Sequence, residues 1–61
     1  MTDLRDLTLP ELTEELKTMG QPAFRAGQVF SWLHRGVTSV DEMTNVPAAL
    51  RAALAERFSL E

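Results

Sequence analysis

The chain has 61 residues, a formal net charge of −3 and no cysteine. This length allows one small domain of modest stability. The lack of cysteine excludes disulfides, thiolate zinc sites and cysteine-ligated iron–sulfur clusters built from these residues, and a single histidine, His34, is too little for a metal site. The negative charge argues against a protein that bulk electrostatics alone hold on nucleic acid.

The first predicted helix covers residues 9–19. Thr8 and Glu11 have the spacing of a capping box, in which a hydroxyl and a carboxylate each accept a backbone N–H at the helix start. Apolar residues then follow at helical spacing, namely Leu9, Leu12, Leu16 and Met19. Gly20 supplies the left-handed residue at which many helices end.

The second predicted helix covers residues 21–35, with Pro22 in its first turn and Gly36 as its stop. A turn of only two or three residues then joins the helices in a helix–hairpin–helix arrangement. Free amides at the start of this helix, near Gly20 and Gln21, are a candidate phosphate site. The alternative is that the turn only connects two helices.

The second helix has two faces of opposite character when its residues are placed at 100° intervals. The apolar face is predicted to pack on a core and comprises Ala23, Ala26, Val29, Phe30 and Leu33. The cationic, aromatic face comprises Arg25, Gln28, Trp32 and Arg35, with Phe24 at its edge. Guanidinium, carboxamide and indole groups suit phosphate contact and base stacking. The alternative is that Trp32 and Phe24 belong to a second buried face, with the arginine stems along the indole and their charged heads in water.

Two further elements follow. Ser39 and Glu42 form a second capping box, which predicts a short helical turn over 40–44. Asn45 is predicted to cap a last helix over 46–58. The inner side of that helix comprises Val46, Leu50, Ala53, Leu54 and Phe58, and its outer side Ala48, Arg51, Ala55 and Glu56. No segment has the alternation typical of a β-strand.

These elements predict an all-α fold, with three main helices and a short helical turn in one helix–hairpin–helix-like domain over residues 1–61. The predicted core comprises Leu12, Leu16, Val29, Phe30, Leu33, Leu50, Leu54 and Phe58. The sequence has no nucleophile–base pair, no carboxylate pair suited to acid–base work and no glycine-rich phosphate loop. We therefore expect a non-catalytic binding module or a piece of a larger protein.

Positive charge is concentrated in the middle of the chain. Residues 17–36 contain three basic residues and no acid, whereas both flanking segments are net negative. This distribution favours a local contact surface over a general polyanion binder. No apolar stretch approaches the roughly 20 residues of a membrane span, and the N-terminus lacks the regions of a signal peptide, so we expect a cytoplasmic protein. The agreement among helix caps, apolar stripes and glycine stops predicts that it folds as a monomeric domain. Whether residues 60–61 are native is left open.

Two motifs resemble those of a known family. The more specific is F-R-A-x-Q-x-x-x-W at residues 24–32, and the second is D-E-M-T at 41–44 followed by P-x-x-L-R at 47–51. Together with residues 7–16 (LTLPELTEEL), they stand in the order found in one N-terminal domain. That domain belongs to the radical S-adenosylmethionine methyltransferases that methylate C2 of an adenosine in 23S ribosomal RNA. The resemblance covers nearly the whole chain.

The resemblance implies a longer parent enzyme whose catalytic barrel, [4Fe–4S] cluster and S-adenosylmethionine lie outside this chain. It also implies an accessory domain that helps to hold RNA, which is 23S ribosomal RNA and, in some members, transfer RNA. The candidate RNA-contact residues, inferred from the hairpin and the helix faces, are Gly20, Gln21, Arg25, Gln28, Trp32 and Arg35. Two alternatives stay open: the face docks on the parent's catalytic barrel, or the chain is a stand-alone helix–hairpin–helix nucleic-acid-binding protein.

Overall fold

The computed structural model describes residues 2–60 and confirms a mostly helical fold. In chain order its elements are strand β1 (Thr2–Asp3), a 3₁₀ turn (Leu4–Asp6), helices α1 (Leu9–Thr18) and α2 (Phe24–His34), a second 3₁₀ turn (Val40–Glu42), helix α3 (Ala48–Arg57) and strand β2 (Phe58–Ser59). The three predicted helices and the short helical turn are all present. Glu61, whose origin the sequence leaves open, lies outside the described residues.

The start and end of α1 follow the predicted signals. Thr8 Oγ1 accepts the Glu11 N–H at 3.3 Å, and the Glu11 carboxylate accepts the Thr8 N–H at 2.8 Å, which completes the capping box. The bond from the Thr8 backbone is the main cause that holds the pKa of Glu11 below its usual value. At the other end Gly20 has a φ of +78°, and its N–H and that of Gln21 donate to carbonyls in the last turns of α1.

The connection between α1 and α2 is longer than predicted. It spans residues 19–23, because α2 begins at Phe24 and not at Gln21. Pro22 disfavours a helical conformation in the residue before it, and the Gln21 N–H is already used to close α1 at 2.9 Å. α2 also ends one residue earlier than predicted, and Gly36 follows with a φ of +81°.

The segment before α3 confirms one prediction and corrects another. The second capping box is present, because the Ser39 hydroxyl accepts an N–H of the 3₁₀ turn and the Glu42 carboxylate accepts the Thr38 and Ser39 N–H groups at 2.8 and 3.1 Å. The prediction that Asn45 caps α3 is wrong. Because α3 starts after Pro47, which is its N-cap and makes no side-chain cap bond, Asn45 lies two residues too early.

A small parallel pairing joins β1 and β2, although no strand is predicted from the sequence. Thr2 pairs with Phe58 and Asp3 with Ser59, in strands of two residues each. Strands this short carry no readable alternation. The pairing therefore follows from tertiary packing, and Leu4 beside it is completely buried.

The core is one cluster that contains six of the eight predicted residues. The other two, Phe30 and Leu33, are partly buried and pack against it, so their prediction as full core members is wrong. Leu4, Val37 and Met43 join the core from outside the helical stripes. These three were missed because their burial depends on tertiary contacts and not on helical spacing.

Two side chains lie differently from their predicted positions. Ala23, expected on the apolar face of α2, is exposed because it precedes the first turn of that helix. Arg51, expected to face water, is half-buried, and its Nη1 donates to the Asp41 carbonyl at 3.2 Å. This bond links α3 to the second 3₁₀ turn.

Truncation of a core leucine tests the packing. We expect Leu16→Ala or Leu54→Ala to lower the free energy of unfolding by about 2–5 kcal/mol, because both side chains are completely buried. A loss of this size approaches the whole stability of a small domain. Leu9→Ala is the control, since Leu9 is 41% exposed. In chemical denaturation followed by circular dichroism, wild-type midpoints for both core variants would contradict the core assignment.

The capping carboxylates predict a loss of stability in acid. Backbone N–H groups of Thr8 and Thr38 are the main causes that lower the pKa of Glu11 and of Glu42, respectively. A folded-state pKa below the unfolded one contributes stability above the unfolded pKa, and this stability is lost as the pH falls through roughly 4 and below. Thermal melts across this range should therefore depend less on pH in Glu11→Gln than in wild type. Glu56→Gln, outside both boxes, is the control, and identical pH profiles for Glu11→Gln and wild type would refute the prediction.

Candidate nucleic-acid interface

One side of α2 is buried and the other faces solvent. Ala26 and Val29 are completely buried in the core. The side chains on the other side are exposed or half-buried, and we name them the aromatic–basic face: Phe24, Arg25, Gln28, Trp32 and Arg35. The division arises because positions three and four apart lie on the same side of an α-helix.

Arg25 is held by contacts along and across the face. Its Nη1 donates to Gln28 Oε1 at 2.8 Å and lies 3.4 Å from the Asn45 carbonyl oxygen. Its guanidinium carbon lies 4.7 Å from the centre of the Phe24 ring, which is a cation–π distance. These contacts limit the rotamers of the guanidinium and so lower the entropy cost of a further contact.

Trp32 connects the aromatic–basic face to the core. Its half-buried ring packs against the core, and its Nε1–H donates to Asn45 Oδ1 at 2.6 Å. The guanidinium carbon of Arg35 lies 4.7 Å from the ring centre. Trp32 thus acts as a packing residue whose polar edge reaches the surface, and the exposed Arg35 is the group that it presents to solvent.

Asn45 connects Arg25 to Trp32 and was missed by the sequence reasoning. Its side-chain oxygen accepts from Trp32, and its carbonyl oxygen accepts from Arg25. These partners lie 13 and 20 residues away in the chain. No local pattern signals such contacts, and an asparagine two residues before Pro47 resembles a helix cap.

The turn residues Gly20 and Gln21 have other partners. Their N–H groups close the end of α1, and the Arg25 and Ala26 N–H groups donate to carbonyls of the turn itself. The Gly20 and Gln21 amides, which the sequence analysis predicts as a phosphate site, therefore already donate hydrogen bonds within the protein. The candidate residues that the structure brings together are Arg25, Gln28, Trp32 and Arg35.

The charge around the face suits an anion. The first turn of α2 contains no acidic residue, so its positive dipole end and Arg25 act in the same direction. Across residues 2–60, no group of histidine, cysteine and acidic side chains has the arrangement of a metal site. Among the helices of this region, none has the length and apolar character needed to cross a membrane.

These features define a small helical domain with a cationic, aromatic face. Residues 2–60 match the family described as ribosomal RNA large subunit methyltransferase N-terminal domain. The chain therefore belongs to this family, as its motifs predict. No solved structure matches the chain.

Similar proteins are RNA methyltransferases of bacteria. The chain is 51% identical over 55 residues to the probable dual-specificity RNA methyltransferase RlmN of Alkaliphilus oremlandii, with 90% of this chain and 16% of the relative covered. It is 49% identical over 59 residues to the dual-specificity RNA methyltransferase RlmN of Anaeromyxobacter sp. strain Fw109-5, with 95% and 16% covered. The chain thus spans only a small part of the curated relatives that it matches.

Removal of the Asn45 side chain tests how the face is held together. We expect Asn45→Ala to lower the free energy of unfolding by about 0.5–1.5 kcal/mol and to move the Trp32 indole N–H resonance upfield, because the donor loses its acceptor. Trp32 is the only tryptophan, so one signal in a ¹H–¹⁵N spectrum reports on it. Thr44→Ala, at an exposed neighbouring position, is the control. An unmoved indole signal in Asn45→Ala would show that this bond is not formed in solution.

Proposed function

We propose that this chain is the RNA-holding, N-terminal domain of a radical S-adenosylmethionine methyltransferase that methylates C2 of an adenosine in 23S ribosomal RNA and in transfer RNA. Membership of the ribosomal RNA large subunit methyltransferase N-terminal domain family supports the assignment to an RNA methyltransferase. The names of the relatives, dual-specificity RNA methyltransferases, support two kinds of RNA substrate. Their greater length supports one domain, residues 1–61, joined to a separate catalytic part.

The observation that carries the proposal is the pair of arginines on one solvent-facing side of α2. Arg25 and Arg35 lie ten residues apart, or roughly 15 Å along the helix axis, so they suit two different phosphates. A guanidinium group forms paired hydrogen bonds with phosphate oxygens. Phosphate contacts fix the position and orientation of a nucleic acid without reading its sequence, which is the work expected of an accessory domain.

The residues of this chain do not fit the cofactors of the proposed enzyme. A [4Fe–4S] cluster needs thiolate ligands, and the chain has no cysteine. We therefore assign the cluster, S-adenosylmethionine and the methyl transfer to the catalytic part, and no catalytic residue to this domain.

The second candidate function is docking of the aromatic–basic face on the catalytic barrel. The exposed ring of Phe24 favours it, because exposed apolar surface often marks protein contacts. Arg25 beside that ring, Gln28 and the second arginine, Arg35, over the Trp32 ring favour a polyanion instead. A stand-alone nucleic-acid-binding protein has less support, since the net charge is −3 and the relatives are much longer.

Arginine truncation in the full-length methyltransferase that carries this domain tests the RNA contact. Arg25→Ala or Arg35→Ala should weaken binding to an RNA hairpin and should reduce the salt dependence of the affinity by about one phosphate contact each. Folding should survive Arg35→Ala, because an exposed arginine contributes roughly 0–1 kcal/mol. Arg25→Ala also removes the contacts of a half-buried guanidinium with Gln28 and Asn45, so its melting curve separates a loss of stability from a loss of RNA contact. Fluorescence anisotropy at several salt concentrations, with a melting curve for each variant, measures both effects.

Arg57→Ala is the matched control, because Arg57 is an exposed arginine at the end of α3 and outside the face. Its affinity and salt dependence should equal those of wild type. Unchanged values for Arg25→Ala and Arg35→Ala as well would contradict the proposal and leave docking on the barrel. An equal loss of RNA affinity in all three variants would show that the effect comes from the net charge of the domain and not from the face.

A further inference from the structure

Phe24 is 58% exposed, although folding usually buries phenylalanine. The other aromatic residues of the domain behave differently. Phe58 is 8% exposed, and Phe30 and Trp32 pack against the core while partly buried. Packing within the domain therefore does not account for the position of Phe24.

The surroundings of Phe24 are polar and cationic. The Arg25 guanidinium lies 4.7 Å from the ring centre and is held there by Gln28. The other large apolar side chain that is exposed within residues 2–60, Leu9, belongs to α1. The apolar surface here is thus one ring beside a cation. Such a surface is far smaller than the roughly 800 Å² that each partner buries in a typical protein interface, but it matches one nucleobase.

We propose that Phe24 stacks on an unpaired base of the bound RNA while Arg25 contacts a neighbouring phosphate. This inference rests on the proposed RNA-holding function and adds its ligand class, which is a single-stranded loop or bulge. Bases inside a duplex have both faces covered by their neighbours, so only an unstacked base can lie on a protein ring. Since every base has such a face, the contact tolerates many sequences.

Phe24→Leu in the full-length methyltransferase is the decisive variant. Leucine keeps an apolar side chain but removes the ring, and the exposure of Phe24 means that folding should not suffer. The probes are a labelled RNA hairpin with an unpaired loop and a blunt RNA duplex of equal length. We expect Phe24→Leu to weaken hairpin binding about tenfold and to leave duplex binding unchanged. Phe24→Tyr, which keeps the ring, should restore the hairpin affinity.

Leu9→Ala is the matched control, since it removes an exposed apolar side chain from a different helix. It should bind both RNAs as wild type does. Wild-type hairpin affinity in Phe24→Leu would overturn the stacking proposal. If the melting temperature of the same variant is also lowered, Phe24 docks on another part of the protein instead. Equal losses for hairpin and duplex would also overturn it, because the ring would then act only through Arg25.

The arginine variants separate this inference from the function on which it rests. If Arg25→Ala and Arg35→Ala weaken RNA binding while Phe24→Leu does not, only the stacking proposal fails. If Arg25→Ala and Arg35→Ala leave the affinity for both RNAs unchanged, the RNA-holding function itself fails, whatever Phe24→Leu does.

Discussion

The burial of Ala26 and Val29 decides which side of α2 meets solvent. α1 packs directly on α2, and these two side chains belong to the same core cluster as Leu12 and Leu16 of α1. All four are completely buried. Since the turns of an α-helix repeat every 3.6 residues, the side chains opposite this contact have to point outwards. The aromatic–basic face is therefore a consequence of how the core is packed, and the same contact that stabilises the fold orients the candidate RNA surface.

A second constraint comes from the chain before α3. Asn45 accepts hydrogen bonds from both Trp32 and Arg25, so the 43–47 segment holds the outer side of α2 while α1 holds its inner side. The buried side chains of Met43 and Val46 fix that segment to the core. The geometry of the face thus depends on elements that are distant in sequence, although all the candidate contact side chains on it come from α2 and its C-cap residue, Arg35.

The net charge of −3 is compatible with an RNA-holding role when its distribution is considered. Acidic residues are concentrated in the segments on either side of 17–36, and these segments repel a phosphate backbone. A cationic patch on an acidic domain restricts RNA contact to one side. With only two arginines on the face, the domain should contribute orientation, and the rest of the proposed enzyme should contribute most of the affinity.

Local signals predicted much of the fold. Both capping boxes, the left-handed stops at Gly20 and Gly36 and the two faces of α2 follow from residue spacing, because each depends on neighbours within about four positions. The β1–β2 pairing and the buried position of Leu4 depend on contacts across the whole chain, and the sequence pattern carries no sign of them. The same division applies to the candidate site. Helical spacing predicts that its arginines share one side of α2, whereas the contacts of Asn45 are visible only in the tertiary structure.

Hydroxyl-radical footprinting of the full-length methyltransferase, with and without RNA, tests most directly whether the aromatic–basic face holds RNA. If it does, the exposed Phe24 is oxidised in the free enzyme and becomes protected when RNA binds, while the buried Met43 stays protected in both states. Protection of Phe24 already in the free enzyme, with no change on adding RNA, would contradict the RNA-holding role and assign the aromatic–basic face to the enzyme's own catalytic part.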